Sequence, residues 1–473
     1  MNYGMIVNGK EIGLALEKID VRNPATAEIV GTVPNGGKDE AKQAIDAASE
    51  SFREWSQRTA YERASYLKKL NDLVLEHAED LAKTMTLEMG KPLAEAKGEV
   101  VYGASFIEWY AEEAKRVYGE TIPSQITTKR LQVWKKPVGV VGAITPWNFP
   151  FAMITRKIAP ALAAGCTVVI KPSKESPITA IKLMKLVAEA GFPAGVVNLV
   201  TGSSSEIVGE MMDNHLVRKI TFTGSTEVGK LLIEQSAKQV KRLSLELGGH
   251  APFIVLDDAN LDKAVESVVA SKFRNGGQTC VCANRIYVQS GIYEQFVEKF
   301  AEKVNTLQVG NGLENVDVGP LINEDGIKKV AHHVEDAVNK GATIVTGGNR
   351  IDRVGTFYEP TVLRDIDPSM IIMQEETFGP IAPLQKVETD EEAVELANST
   401  QYGLAAYLFT ESVARGTKLI EQLDFGIVGW NDGMPSTAQA PFGGMKESGV
   451  GREGGHQGMD EFLETQYVSI GLE

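Results

Sequence analysis

Hydrophobic and polar positions follow two rhythms along this chain. Through residues 38–118 the apolar positions recur at helical spacing. Ala41, Ile45, Ala48, Phe52 and Trp55 form one stripe, and Leu67, Leu70, Leu73, Val74 and His77 form another. Both read as core-packing faces. Residues 1–35 read as short strands separated by turn signals at Asn23-Pro24 and Pro34-Asn35-Gly36-Gly37. Residues 119–135 are extended and break the helical run. From 136 onward, short apolar strands alternate with helices. Strands are predicted at 138–144, 166–170, 196–200 and 219–222, with helices at 151–164, 177–190, 204–212 and 226–239. Unbroken apolar strands between helices predict a parallel sheet covered on both faces. Such sheets bind ligands beyond the carboxyl ends of their strands. After Glu246 the alternation resumes near 252–256, 285–288, 342–345, 361 and 406, which predicts a second α/β unit.

A chain of 473 residues exceeds one hydrophobic core, so two or three domains are expected. The net charge of −15 argues against nucleic acid and against an anionic membrane surface as partners. The N-terminus lacks a basic start and an apolar run, and no stretch of about 18 apolar residues exists. Three cysteines in 473 residues do not make a disulfide framework. The expectation is a reduced, cytoplasmic protein.

Five stretches carry candidate chemistry. The first is Arg274-Asn275-Gly276-Gly277-Gln278-Thr279-Cys280-Val281-Cys282. It follows a helix with Leu261, Val265, Val268, Val269 and Phe273 on one face and precedes a strand. Cys280 is thus held between two rigid elements, as a nucleophilic thiol requires; the plain alternative is a small buried hydrophobe. No Cys-x-x-Cys and no histidine cluster accompanies it, so no metal is expected. The second is Glu246, at the end of a strand whose Leu243, Leu245 and Leu247 face one way. Desolvation there raises a carboxyl pKa towards that of a general base, unless the group pairs with an arginine. The third is Ile144-Thr145-Pro146-Trp147-Asn148-Phe149-Pro150, a stiff turn after a strand. The Asn148 carboxamide offers donors to an oxyanion, or merely serves the turn. The fourth is Thr223-Gly224-Ser225-Thr226, a glycine turn opening a helix, which suits a pyrophosphate or simple capping. Lys171-Pro172-Ser173-Lys174 follows the strand at 166–170, where an adenosine ribose would lie. Lys174 and Ser173 in place of an acid favour NADP over NAD; otherwise Lys174 is a solvated lysine.

Taken together and in order, Pro146-Trp147-Asn148-Phe149-Pro150, Phe222-Thr223-Gly224-Ser225, Leu245-Glu246-Leu247-Gly248-Gly249, Gly277-Gln278-Thr279-Cys280, Glu375-Glu376-Thr377-Phe378-Gly379-Pro380 and Pro441-Phe442-Gly443-Gly444 resemble the aldehyde dehydrogenase family over nearly the whole chain. Met153-Ile154-Thr155-Arg156-Lys157 and Phe273-Arg274-Asn275 resemble its succinate-semialdehyde dehydrogenase branch. The resemblance implies an aldehyde-dehydrogenase-like α/β fold. It has a Rossmann-type cofactor domain (1–118 and 136–245), an α/β catalytic domain (246–445) and a β oligomerisation arm (119–135 and 446–473). A homodimer or homotetramer is implied. So is NADP- or NAD-dependent oxidation of succinate semialdehyde to succinate. The alternatives are glutarate semialdehyde, a neutral aldehyde, or a cysteine-dependent esterase or acyl transferase. By the same resemblance Cys280 is nucleophile, Glu246 base, and Asn148 with the Cys280 amide the oxyanion hole. Ile144, Thr145, Pro146, Trp147, Lys171, Ser173, Lys174, Gly224, Ser225, Leu247, Glu376 and Phe378 serve the cofactor. Arg156, Arg274 and Ser436 hold a distal carboxylate on the aldehyde. Cys280 and Cys282 either form a reversible, strained disulfide or leave Cys282 inert.

Overall fold

The computed structural model describes residues 1–472. Its strands gather mainly into two large sheets. The first has eight strands, and its centre is parallel: Val197–Leu199, Thr167–Lys171, Val140–Ile144, Val217–Thr223 and Arg242–Glu246 lie side by side. Every residue of Val140–Ile144 and Thr167–Lys171 is buried, as their apolar runs require. The pleat divides them between two cores. Val141, Ala143, Val168 and Ile170 pack with the helices Leu93–Glu113, Ala152–Ala164 and Ile178–Glu189. Val140, Ile144 and Val169 pack with Lys38–Gln57 and Ser204–Asp213. From Val140–Ile144 the chain winds outward through Thr167–Lys171 to Val197–Leu199, then returns to Val217–Thr223 on the other side. The order therefore reverses between Val140–Ile144 and Val217–Thr223, and a crevice opens beyond their carboxyl ends.

The second sheet has seven strands. Thr361–Arg364, Ile381–Val387, Ala283–Gln289, Ala251–Val255, Ala405–Phe409 and Ile427–Trp430 are parallel, and Thr343–Thr346 is an antiparallel edge. Residues 247–250 carry the chain from the first sheet to the second. A Cβ on Gly249 would collide with the Cys280 carbonyl oxygen, so only glycine lets the two segments approach this closely.

The helical run at 38–118 is four helices rather than one continuous stretch: Lys38–Gln57, Ala60–Glu76, Ala78–Met89 and Leu93–Glu113. Thr59 caps the second in a capping box with Glu62, and Gly90 ends the third at φ 89°. Lys129–Pro137 forms a separate three-stranded sheet with Glu120–Ile122 and Leu463–Gly471. The C-terminal stretch expected to belong wholly to this arm is divided. Met445–Lys446 pairs with Tyr402–Gly403, and Gly449–Val450 pairs antiparallel with the strand that ends in Glu246. No helix among the described residues is long and apolar enough to cross a membrane.

The close approach at Gly249 sets a test. Gly249→Ala should lower stability by about 1–3 kcal/mol and reduce activity together, because the backbone it displaces carries Cys280. Thermal unfolding and steady-state rates on one preparation check this; an active, fully stable variant would refute the packing described.

Candidate active site

The two sheets meet at the loop that carries Cys280. The helix Leu261–Phe273 gives way to Arg274–Gly277, where Asn275, Gly276 and Gly277 have φ of 54°, 62° and 74°. Three consecutive left-handed residues reverse the chain sharply, a conformation for which asparagine and glycine are best suited. Gln278 locks the turn: its Nε2 donates to the Asn275 carbonyl at 3.0 Å and its Oε1 accepts from the Ile322 amide at 2.9 Å. Cys280 follows with 9% of its surface exposed, and the strand Ala283–Gln289 begins just beyond.

Asn148 comes from the other sheet, past the end of Val140–Ile144. Its Nδ2 donates to the Gln278 carbonyl at 3.1 Å and its Oδ1 accepts from the Phe149 amide at 3.1 Å. One N–H of its carboxamide remains for another acceptor. Asn148 and Cys280 line the same cleft.

Glu246 ends its strand 2% exposed and faces the Cys280 thiol. Burial pushes its carboxyl pKa up and Arg156 opposes that rise. Its Oε1 is buried with no hydrogen-bond partner, free to take a proton. Burial also drives the Cys280 thiol well above its ordinary value, and the Glu246 charge drives it further. A thiol so placed holds its proton more firmly than one in water, and it could act as a nucleophile only if a base at hand took that proton.

Two spaces meet this loop, one lined by Cys280 and the other by Val281. A cavity of about 290 Å³ is walled by Lys91, Glu95, Glu99 and Tyr102 from the helical region and by Arg274 and Ser436 from the second. Arg274 makes no ion pair among the described residues and lies 5.4 Å over the Phe149 ring. Arg156 departs from the expectation that it lines this space. The helix Ala152–Ala164 is buried on all sides, so a guanidinium on it needs anions within the protein. Glu453 pairs with its Nε, Glu246 Oε2 lies 3.4 Å from its Nη2, and Phe442 stacks 4.3 Å away. Burial would raise the Glu453 carboxyl, but Arg156 and Lys157 outweigh it and hold the carboxyl below its usual value.

The other space is a cleft at the sheet's reversal point, lined by Pro146, Trp147, Gly224, Ser225, Leu247, Glu376 and Phe378. Ser225 caps the helix Thr226–Ser236, whose N-terminus opens there. Trp147 and Phe378 meet edge to face at 5.6 Å, with Phe378 held at φ 55°. Glu376 accepts from the Gly249 amide at 3.2 Å, and burial raises its pKa to about 8. Ile144 pairs in register with Lys171, and the Thr145 amide donates to the Lys171 carbonyl at 3.1 Å. Lys171 Nζ donates to Ser204 at 2.6 Å, and burial, then Lys174, lowers its pKa to about 8. Ser173 bonds the Glu175 amide, and Lys174 is exposed. A helix N-terminus, apolar walls, the orphaned Thr145 hydroxyl and a carboxylate fit a dinucleotide.

The aldehyde dehydrogenase family model matches residues 13–468. The chain belongs to the aldehyde dehydrogenase family. It is 54% identical to succinate-semialdehyde dehydrogenase [NADP(+)] GabD of Escherichia coli over 457 residues, 96% of this chain and 95% of that protein. It is 53% identical to a glutarate-semialdehyde dehydrogenase of Pseudomonas putida over 457 residues, 96% of this chain and 95% of that protein. A crystal structure of an E. coli NADP-dependent enzyme superposes with a TM-score of 0.98 at 52% identity, covering 100% of this chain and 98% of that one. The α/β fold expected of an aldehyde dehydrogenase is thus present.

Cys282 has its own polar neighbours. Both thiols are free, and Cys282 Sγ lies 3.3 Å from Lys272 Nζ, which also donates to Asn284 at 2.9 Å. The sequence analysis missed Lys91, Glu95, Glu99 and Tyr102, having read their region as core alone. The signal was present: Glu95, Glu99 and Tyr102 recur at helical spacing, so the two acids sit on the cavity face of Leu93–Glu113. Glu453 gave no such signal.

Because the Glu246 charge adds to burial in holding the thiol protonated, Glu246→Gln should lower the Cys280 pKa. The pH profile of iodoacetamide alkylation should move to lower pH, by about one unit or more. A profile that stays put or moves upward would show that the carboxylate does not face the sulfur.

Proposed function

We propose that this aldehyde dehydrogenase oxidises a short aldehyde bearing a distal carboxylate, succinate semialdehyde first among them, with NADP as the preferred cofactor and NAD as the alternative. The observation that carries the reading is Arg274, a cation without an ion-pair partner, beside Ser436 in the cavity next to the thiol. A guanidinium fork suits a carboxylate, and an unpaired one is costly without an anion. The names of the relatives support it. Glutarate semialdehyde is the second reading, favoured by the Pseudomonas putida relative.

In this reading Glu246 takes the Cys280 proton and the sulfur attacks the aldehyde carbon. The Asn148 carboxamide and the Cys280 amide stabilise the oxyanion, each such donor contributing about 3 kcal/mol. Bound dinucleotide supplies the acceptor for the hydride that leaves the thiohemiacetal. After the proton from Cys280 has passed to solvent, Glu246 takes one from the water that attacks the thioester, and the C–S bond breaks to release the carboxylic acid and the Cys280 thiolate. Gly224, Ser225 and the helix they open would hold the pyrophosphate. Glu376 and Lys171 would hold the riboses, and Trp147, Leu247 and Phe378 would wall the nicotinamide end. Ser173 and Lys174 would meet a 2′-phosphate. The eight-stranded sheet is then the cofactor domain and the seven-stranded sheet the catalytic domain. The three-stranded sheet, with exposed Ile122, Trp134 and Tyr467, would join a second copy of the chain in a dimer or tetramer.

Two substitutions separate the arginines. Arg274→Ala should lower kcat/KM for succinate semialdehyde by about 10²-fold while sparing a neutral aldehyde of equal length. Arg156→Ala should slow both alike, because it removes the countercharge of Glu246 and Glu453. Equal losses from Arg274→Ala on both aldehydes would remove the carboxylate argument. Separately, Lys174→Glu should raise KM for NADP by about tenfold or more and leave NAD nearly unchanged. Equal effects on both cofactors would rule out 2′-phosphate recognition there.

A further inference from the structure

The carboxamide of Asn148 needs more than its own rotamer to hold its place. Its main chain sits in a turn between a strand end and the helix Ala152–Ala164, and that turn is fastened from behind by a buried ion pair. Lys91 Nζ donates to the Asn148 carbonyl at 2.8 Å and pairs with Glu99, both side chains being 1% exposed. The other Glu99 oxygen accepts from the Phe149-side end of the next helix, from the Phe151 amide at 3.0 Å and the Ala152 amide at 3.1 Å. Asn275, on the Cys280 loop, donates to the same Asn148 carbonyl at 3.0 Å, and Glu95 receives the Asn275 amide at 2.8 Å. The Lys91 ammonium also rests 3.9 Å over the Phe149 ring.

A buried lysine is expensive to keep. Burial lowers its pKa, opposed by Glu99, and a pair this dry gives little net stability over an apolar substitute. What the pair does supply is fixed direction. An ammonium and an amide donor converge on the Asn148 carbonyl, and Glu99 holds the Phe151 and Ala152 amides, so the Asn148–Phe149 peptide and the start of the next helix are tied to one side-chain pair. The residue carried on that peptide is the oxyanion donor, and a donor displaced by about 1 Å loses much of its effect.

We propose that Lys91, backed by Glu99, is a positioning residue for the Asn148 carboxamide, acting on the first chemical step through the Asn148 main chain. The inference rests on the oxyanion role read for Asn148. The experiment is a double-mutant cycle read in the first-turnover rate of reduced-nicotinamide formation with a saturating aldehyde. Asn148→Ala alone should slow that rate by about 10²–10³-fold. Lys91→Met alone should slow it by about tenfold or more, with KM for aldehyde and cofactor within about threefold of wild type. In the Asn148→Ala background, Lys91→Met should cost less than about threefold, because the group it positions is gone. Full additivity, or an unchanged rate for Lys91→Met, overturns the proposal. If Lys91→Met fails to fold, Lys91→Met/Glu99→Gln replaces it in the same cycle, since it leaves no unpaired charge buried, and the same outcomes decide. An Asn148→Ala enzyme with wild-type first turnover would instead defeat the oxyanion reading, a result distinct from additivity.

Discussion

The hydrogen bond from Asn148 Nδ2 to the Gln278 carbonyl joins the end of a strand in one sheet to the Cys280 loop of the other. Much of the site depends on that junction. The loop reaches it through the left-handed run Asn275 to Gly277 and is held there by Gln278 and Ile322. Gly249 brings the crossing segment onto the Cys280 carbonyl from the other side. Sulfur, carboxylate and carboxamide come from three distant segments, yet none is placed by a long flexible excursion. Each stands at or just past the end of a rigid element.

The electrostatics follow from dryness. Burial raises the thiol and raises the base, so both are neutral more readily than in water. Arg156 restrains the rise at Glu246 and is itself restrained by Glu453. The result is a chain of alternating charge leading inward from the thiol: Glu246, Arg156, Glu453, Lys157. In the proposed mechanism Glu246 takes a proton twice, from sulfur and then from water, and such a base gains from an affinity that is poised rather than extreme.

Local pattern made the parallel sheets legible, because their strands are buried on both faces and read as apolar runs. Cys280, Glu246 and Asn148 were each weak signals, and their order along the chain gave them weight. The Lys91–Glu99 pair was only half legible: Glu99 shares a helical face with Glu95 and Tyr102, but Lys91 lies in the link before that helix, where no periodicity marks a side chain as inward. Nothing local told that Lys91 would turn inward to meet it. Arg156 showed the converse. Its type suggested a ligand-binding fork, whereas the full burial of its helix made internal partners necessary. Glu453 is set by a contact almost three hundred residues away in sequence, which no window along the chain contains.

The divided C-terminal stretch ties interior to exterior. Gly449–Val450 flanks the strand that ends in Glu246, Glu453 pairs with Arg156 and Lys157, and Leu463–Gly471 then runs along the outer three-stranded sheet. Fewer than thirty residues thus touch the Glu246 strand, the buried charges and the outer sheet in turn. The outermost strand begins only ten residues after Glu453, so the packing of an exposed edge and the balance of the inner charges are written into one short stretch of sequence.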